Sequence, residues 1–148
     1  DPAIVLFLQT VVGLDAGEVD KVLNKKSGLL GLCGRSDMRD IEEAAEKGDE
    51  HAIRALEAFV YRIVKKIGAY AAAMNGLDAI VFTAGIGENS PLIRRMVSEH
   101  FGFMGLELDA VRNEKREMVI STPASRVAVL VVPTNEELMI ALDTVKLI

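Results

Sequence analysis

The stretch Val81-Phe82-Thr83-Ala84-Gly85-Ile86-Gly87-Glu88-Asn89-Ser90-Pro91 carries an apolar, β-branched run into a glycine-rich turn and then into a helix start. Leu77 to Thr83, bounded by Gly76 and Gly85, reads as a buried strand. Pro91 suits the first turn of a helix that runs to about Phe101, with Ser90 or Asn89 as its cap. Glycines in such a turn let the backbone come close to a ligand, and a helix start offers unpaired amides to phosphate. The same residues also suit a tight strand–helix turn with no ligand. A Walker A loop is excluded, because no Gly-Lys-Ser/Thr follows. A dinucleotide fingerprint fits poorly: Ser90 occupies its third glycine position, although Glu107 stands roughly where a ribose-binding acid belongs.

Downstream, Gly102 to Leu108 reads as loop or short strand, Asp109 caps a short helix through Arg116, and Val119 to Ser121 suggests an edge strand. Val127 to Val132 is a second buried strand, broken by Pro133 and Thr134 before a helix from Asn135 to about Leu147. Thr134 and Glu137 have the spacing of a capping box. That leaves Glu136 with two readings: a solvated first-turn acid favoured by the helix dipole, or a carboxylate associated with a metal near a nucleotide phosphate.

Upstream the pattern is helical. Pro2 to Val12 is an apolar helix ended by Gly13, and Asp15 with Glu18 opens a second that reaches about Lys26. Ser27 to Ser36, with Gly28, Gly31 and Gly34, is expected to be a tightly packed loop. Asp37 caps a helix that breaks near Gly48. A long amphipathic helix then spans about Asp49 to Asn75, with Ile53, Leu56, Val60, Ile63, Ile67, Ala71 and Met74 on its apolar side. In Ser36-Asp37-Met38-Arg39-Asp40, Asp37 can serve as a cap beside a surface arginine, or the segment can wall a purine through a stacked guanidinium. Helices first and then strand–loop–helix twice make an α/β layer pattern, and no linker divides the chain.

The 148 residues are half hydrophobic, enough for a core, and the net charge of −5 argues against nucleic acid as a partner. The lone Cys33 permits no internal disulfide, which fits a reducing cytoplasm, and it reads as a small, at least partly buried residue. No apolar run approaches the roughly 20 residues that span a bilayer, so no membrane association is expected. Asp1-Pro2-Ala3 is neither a signal peptide nor an initiator start, and the chain is expected to begin inside a larger protein. His51, His100 and the Lys65-Lys66 pair read as surface residues.

Taken together and in order, four stretches resemble the C-terminal portion of the acetate kinase family. They are Lys26-Ser27-Gly28-Leu29-Leu30-Gly31, Ser36-Asp37-Met38-Arg39-Asp40, Asp78 through Ser90, and Pro133-Thr134-Asn135-Glu136-Glu137-Leu138. The resemblance implies an incomplete ribonuclease-H-like, actin-like ATPase domain, with residues 1–148 as a single C-terminal nucleotide-binding domain of a larger two-domain kinase. It implies that Asp37, Met38 and Arg39 line an adenosine pocket. It implies that Gly85, Ile86, Gly87, Glu88 and Asn89 wrap the nucleotide near its ribose and phosphates, and that Glu136 is the carboxylate associated with Mg²⁺. The family's reaction moves the ATP γ-phosphoryl group to acetate, reversibly, and its members are cytoplasmic homodimers. Met38 stands where an aromatic residue is common, and Ala84 where glycine is common. The family's acetate-side and phosphoryl-stabilising residues match nothing in this chain, so no catalytic residue is expected in it and the chain alone is expected to be inactive. Propionate and butyrate kinases share much of this half. A dimerisation module that binds little nucleotide is the reading from a different class, and a dinucleotide binder is the third.

Overall fold

The computed structural model describes residues 1–147. By its internal contacts the chain divides into two units, residues 1–59 and 60–148. The boundary falls inside a continuous helix rather than at a linker.

The first unit is helical. Helices α1 (Ala3–Thr10), α2 (Ala16–Lys25), α3 (Gly28–Cys33) and α4 (Met38–Glu46) are followed by the start of α5 (Glu50–Ala73). Local chemistry sets their ends. Asp15 accepts from the Glu18 amide at 2.8 Å while the Glu18 carboxylate accepts from the Asp15 amide at 2.9 Å, a complete capping box. Asp37 caps α4 by accepting from the Arg39 amide. Gly48, at φ +86°, ends it. Val19, Met38, Ile41, Ala44, Ala52, Ala55 and Leu56 are the buried apolar residues of this unit. The expected loop over 27–36 is instead the short helix α3, and it is mostly exposed. Its leucines favour a helical turn, and Gly34 closes that turn in the left-handed conformation, its amide donating to the Leu30 carbonyl.

The second unit supplies the strands. After α5 come β1 (Ala79–Phe82), α6 (Ala84–Asn89), α7 (Pro91–Glu99), a 3₁₀ turn (Gly102–Met104), α8 (Ala110–Lys115), β2 (Ala128–Val131) and α9 (Glu136–Lys146). Strands β1 and β2 pair in parallel, from Ala79 opposite Ala128 to Phe82 opposite Val131. Ile80, Phe82, Val129 and Val131 are buried, whereas Val81 is half exposed. The strands therefore bury one face rather than both. The expected edge strand at 119–121 is reduced to two antiparallel bridges, Leu108 with Ser121 and Val119 with Leu130. The apolar stripe expected along α5 is buried at Leu56, Val60 and Ala71 but not at Ile53 or Met74. The expected glycine loop at 85–89 is helical, as α6.

Among the described residues, no helix is long and apolar enough to cross a membrane. Phe101 is 1% exposed and Phe103 is 79% exposed. Phe101→Ala should therefore cost about 3–5 kcal/mol and Phe103→Ala no more than about 1 kcal/mol, read from denaturant unfolding of the two variants.

Candidate functional site

The carboxyl ends of β1 and β2 lie side by side, and the Val132 amide extends the pairing by donating to the Phe82 carbonyl at 2.9 Å. Each strand then runs into polar residues at a helix start: Thr83 to Asn89 after β1, and Pro133 to Glu136 after β2. Ligands in open α/β sheets gather outside such strand ends.

Glu88 ties the two segments together. One of its carboxylate oxygens accepts from the Thr134 amide at 2.8 Å and from the Thr134 hydroxyl at 3.1 Å. The Thr134 amide, more than any other group, holds the Glu88 pKa below its ordinary value. This bond overturns the capping box expected between Thr134 and Glu137. Asn135 is the cap of α9, its side chain accepting from the Leu138 amide. Thr134 is engaged instead by a residue 46 positions earlier in the chain.

Within residues 84–89 the fold and a ligand make different demands. Ala84 takes the left-handed conformation at φ +58°, which an L side chain adopts at a cost and which explains why glycine suits that position. A Cβ on Gly87 would lie 3.2 Å from the Phe82 carbonyl carbon, so the absent side chain is what lets α6 sit against β1. A Cβ on Gly85 would meet nothing. Ile86 is about one-third exposed. The Asn89 side-chain nitrogen donates to the Gly85 carbonyl at 2.8 Å, and its side-chain oxygen accepts from Arg116 at 2.9 Å. Ser90, as expected, caps α7 by accepting from the Ile93 amide.

Glu136 lies in the first turn of α9 beside Glu137, exposed, and among the described residues its side chain makes no hydrogen bond or ion pair. Among the described residues, no group of three or more His, Cys, Asp or Glu side chains could hold a metal ion. An exposed carboxylate beside a strand end still fits Mg²⁺, which usually takes one or two protein carboxylates and completes its shell with phosphate and water. Glu107, the residue a dinucleotide site would use, accepts from the Thr122 hydroxyl at 3.1 Å.

In the first unit, Arg39 donates to both oxygens of Asp37, at 3.0 and 2.6 Å. The Arg39 guanidinium thereby lowers the Asp37 pKa to about 2. The fork is fixed at one edge while the side chain stays 89% exposed, so its flat face is open to stacking. Met38 is different: it is 7% exposed and presents little side chain outward. His51 and His100 are exposed, and Cys33 is half-buried, its thiol donating to the Leu29 carbonyl.

Sequence reading missed the links from Glu88 to Thr134 and from Arg116 to Asn89, since no short-range pattern announces either. Gly87→Ala should destabilise the chain by about 1–3 kcal/mol, while Gly85→Ala should stay within about 0.5 kcal/mol of the parent; thermal or denaturant unfolding separates them. The Glu88 pKa is lowered by folding from its ordinary value of 4.5. Its contribution to stability is therefore complete above that value and fades as the pH falls through the lowered one. Glu88→Gln should flatten this part of the acid limb when unfolding midpoints are followed from about pH 6 to about pH 3.

Comparison with known proteins converges on one family. The model of the Acetokinase family matches residues 1–142. The chain is 57% identical over 150 residues to the acetate kinase of Carboxydothermus hydrogenoformans and 58% identical over 154 residues to that of Thermotoga maritima. In both cases all of this chain is covered but only 38% of the relative, so it spans well under half their length. Among solved structures, Porphyromonas gingivalis acetate kinase superposes with a TM-score of 0.89 at 49% identity, over 99% of this chain and 38% of that one. A propionate kinase from Francisella tularensis gives 0.89 at 41% identity, over 95% and 36%. With strand ends, glycine segment and terminal Pro-Thr-Asn-Glu-Glu segment arranged as described, the chain belongs to the acetokinase family.

Proposed function

We propose that this chain is the C-terminal nucleotide-binding part of an acetate kinase, built on an incomplete ribonuclease-H-like, actin-like domain. The pair of hydrogen bonds from Thr134 to Glu88 carries the reading, because it gathers the two motif-bearing strand ends into one surface. On this surface the segment Gly85, Ile86, Gly87, Glu88 and Asn89 meets the ribose and phosphates of ATP or ADP. Gly85 has open space for a close approach. Glu136, uncommitted to any protein partner among the described residues, takes the Mg²⁺ that accompanies the phosphates. Mg²⁺ supplies charge neutralisation on the phosphoryl oxygens when bound. For the first unit by itself, the reading makes Asp37, Met38 and Arg39 a purine-binding segment, in which Asp37 holds the Arg39 fork so that its face can stack while the buried Met38 offers little side chain to a base.

The full-length protein on this reading transfers a phosphoryl group between ATP and acetate, works in the cytoplasm and forms a homodimer. The chain alone has no catalytic residue and turns over no substrate. Acetate is taken as the acceptor on this reading, following the acetate kinases at 57–58% identity. A second reading, a self-associating module with little nucleotide affinity, draws on α9, where Ile140 is 68% and Val145 is 70% exposed.

Thermal unfolding with and without Mg-ADP separates the two. The nucleotide reading expects the midpoint to rise, equivalent to about 2.7 kcal/mol at ligand a hundredfold above Kd. Arg39→Ala, Glu136→Ala and Gly85→Ala should each lose part of that protection while keeping the parent midpoint without ligand. A folded chain that Mg-ADP leaves unmoved, with a mass that grows with concentration, would instead establish the self-associating module.

A further inference from the structure

Arg94 sits on α7, is wholly buried, and makes four hydrogen bonds. Its Nε donates to the Asn113 side-chain oxygen at 2.8 Å, and one terminal nitrogen to the Asn113 carbonyl at 2.7 Å. The other terminal nitrogen reaches the carbonyls of Gly87 and Glu88, both at 2.9 Å. Asn113, itself 1% exposed, donates in turn to the Pro91 carbonyl at 2.9 Å. Just past the end of α8, Arg116 grips Asn89 next in line.

These contacts are unusual as a stability device. A buried guanidinium ordinarily carries a carboxylate partner, and removing a charge from water is costly without one. Among the described residues Arg94 makes no ion pair, and all four of its acceptors are neutral. An apolar side chain of similar volume would bury no charge, but it would leave the four acceptors without their donor. What it could not do is hold two consecutive carbonyls of residues 87 and 88 at fixed distance from α8. Glu88 is the residue whose side chain reaches Thr134, so the backbone that Arg94 fixes also sets where the two strand-end segments meet.

We propose that Arg94, held by Asn113, is a positioning residue for nucleotide, fixing the backbone of 87–88 so that residues 85–89 and 134–136 present one preformed surface. This rests on the nucleotide reading above. Arg94 touches no substrate and acts through the segment it grips. A displaced segment weakens the nucleotide contacts and leaves the acyl-acceptor side alone.

The test is steady-state kinetics of the full-length protein, with Mg-ADP binding to the parent measured first. Arg94→Lys keeps the charge but cannot span the four acceptors. It should raise the KM for Mg-ATP about tenfold with little change in the KM for acetate. Asn113→Ala removes one acceptor and leaves Arg94 in place; it should shift the nucleotide KM in the same direction by a smaller factor, and it decides the matter if Arg94→Lys does not fold. Val97→Ala, a buried apolar truncation on the same helix, should lower the melting temperature without moving the nucleotide KM. Folded variants at both polar positions with the parent's nucleotide KM would overturn the proposal, as would a Val97→Ala shift equal to that of the folded polar variants. A parent that binds no Mg-ADP would remove the nucleotide reading and this inference with it.

Discussion

The parallel pairing of β1 with β2 is the constraint on which the second unit depends. Two parallel strands cannot be joined by a tight turn; the chain must return to the starting end before the second begins. Here the return is made by α6, α7, the 3₁₀ turn and α8, followed by residues 116–127. Ile93, Val97, Phe101 and Ile120 from that crossover are buried along with Ile80 and Val129 of the strands. The same pairing fixes which ends lie together. Phe82 stands opposite Val131, so the polar residues after each strand emerge as neighbours. The Glu88–Thr134 hydrogen bonds then need only span a short gap.

What the sequence made legible was local. Asp15, Asp37, Ser90 and Asp109 each cap the helix their spacing announces, because a cap is settled within three residues. Both strands were legible from β-branched runs bounded by breakers, though not their single buried face. Two glycine-bearing stretches read as loops are helices, α3 and α6. In α3, glycine is tolerated inside a short turn and marks its end rather than its absence, as Gly34 shows. In α6, Gly87 is required by the nearness of Phe82, a packing demand with no trace in spacing. The capping box expected at Thr134 failed for a related reason: a local partner was available, and a distant one won.

The glycine segment therefore has two kinds of glycine. Gly87 is spent on packing against β1, and Gly85 is not. A motif read as a ligand loop thus mixes residues that the fold needs with residues that the fold leaves free. The same division runs through the carboxylates. Asp37 is committed to Arg39, and Glu88 to Thr134, each with its pKa lowered by the donor it meets. The Glu136 side chain has no partner among the described residues.

On the proposed nucleotide reading, this division bears on how an acidic chain would face a polyanion. With a net charge of −5, unshielded carboxylates at the strand ends would repel phosphate. Glu88 already accepts two hydrogen bonds from Thr134, which spreads its charge over neighbouring donors. Arg94 and Arg116 bring two positive charges against the backbone and side chains of residues 87–89, the first of them buried where solvent screens it least. The site's electrostatics thus rest less on the residues that would touch a ligand than on the arginines of the crossover, whose position follows from the parallel pairing that made the crossover necessary.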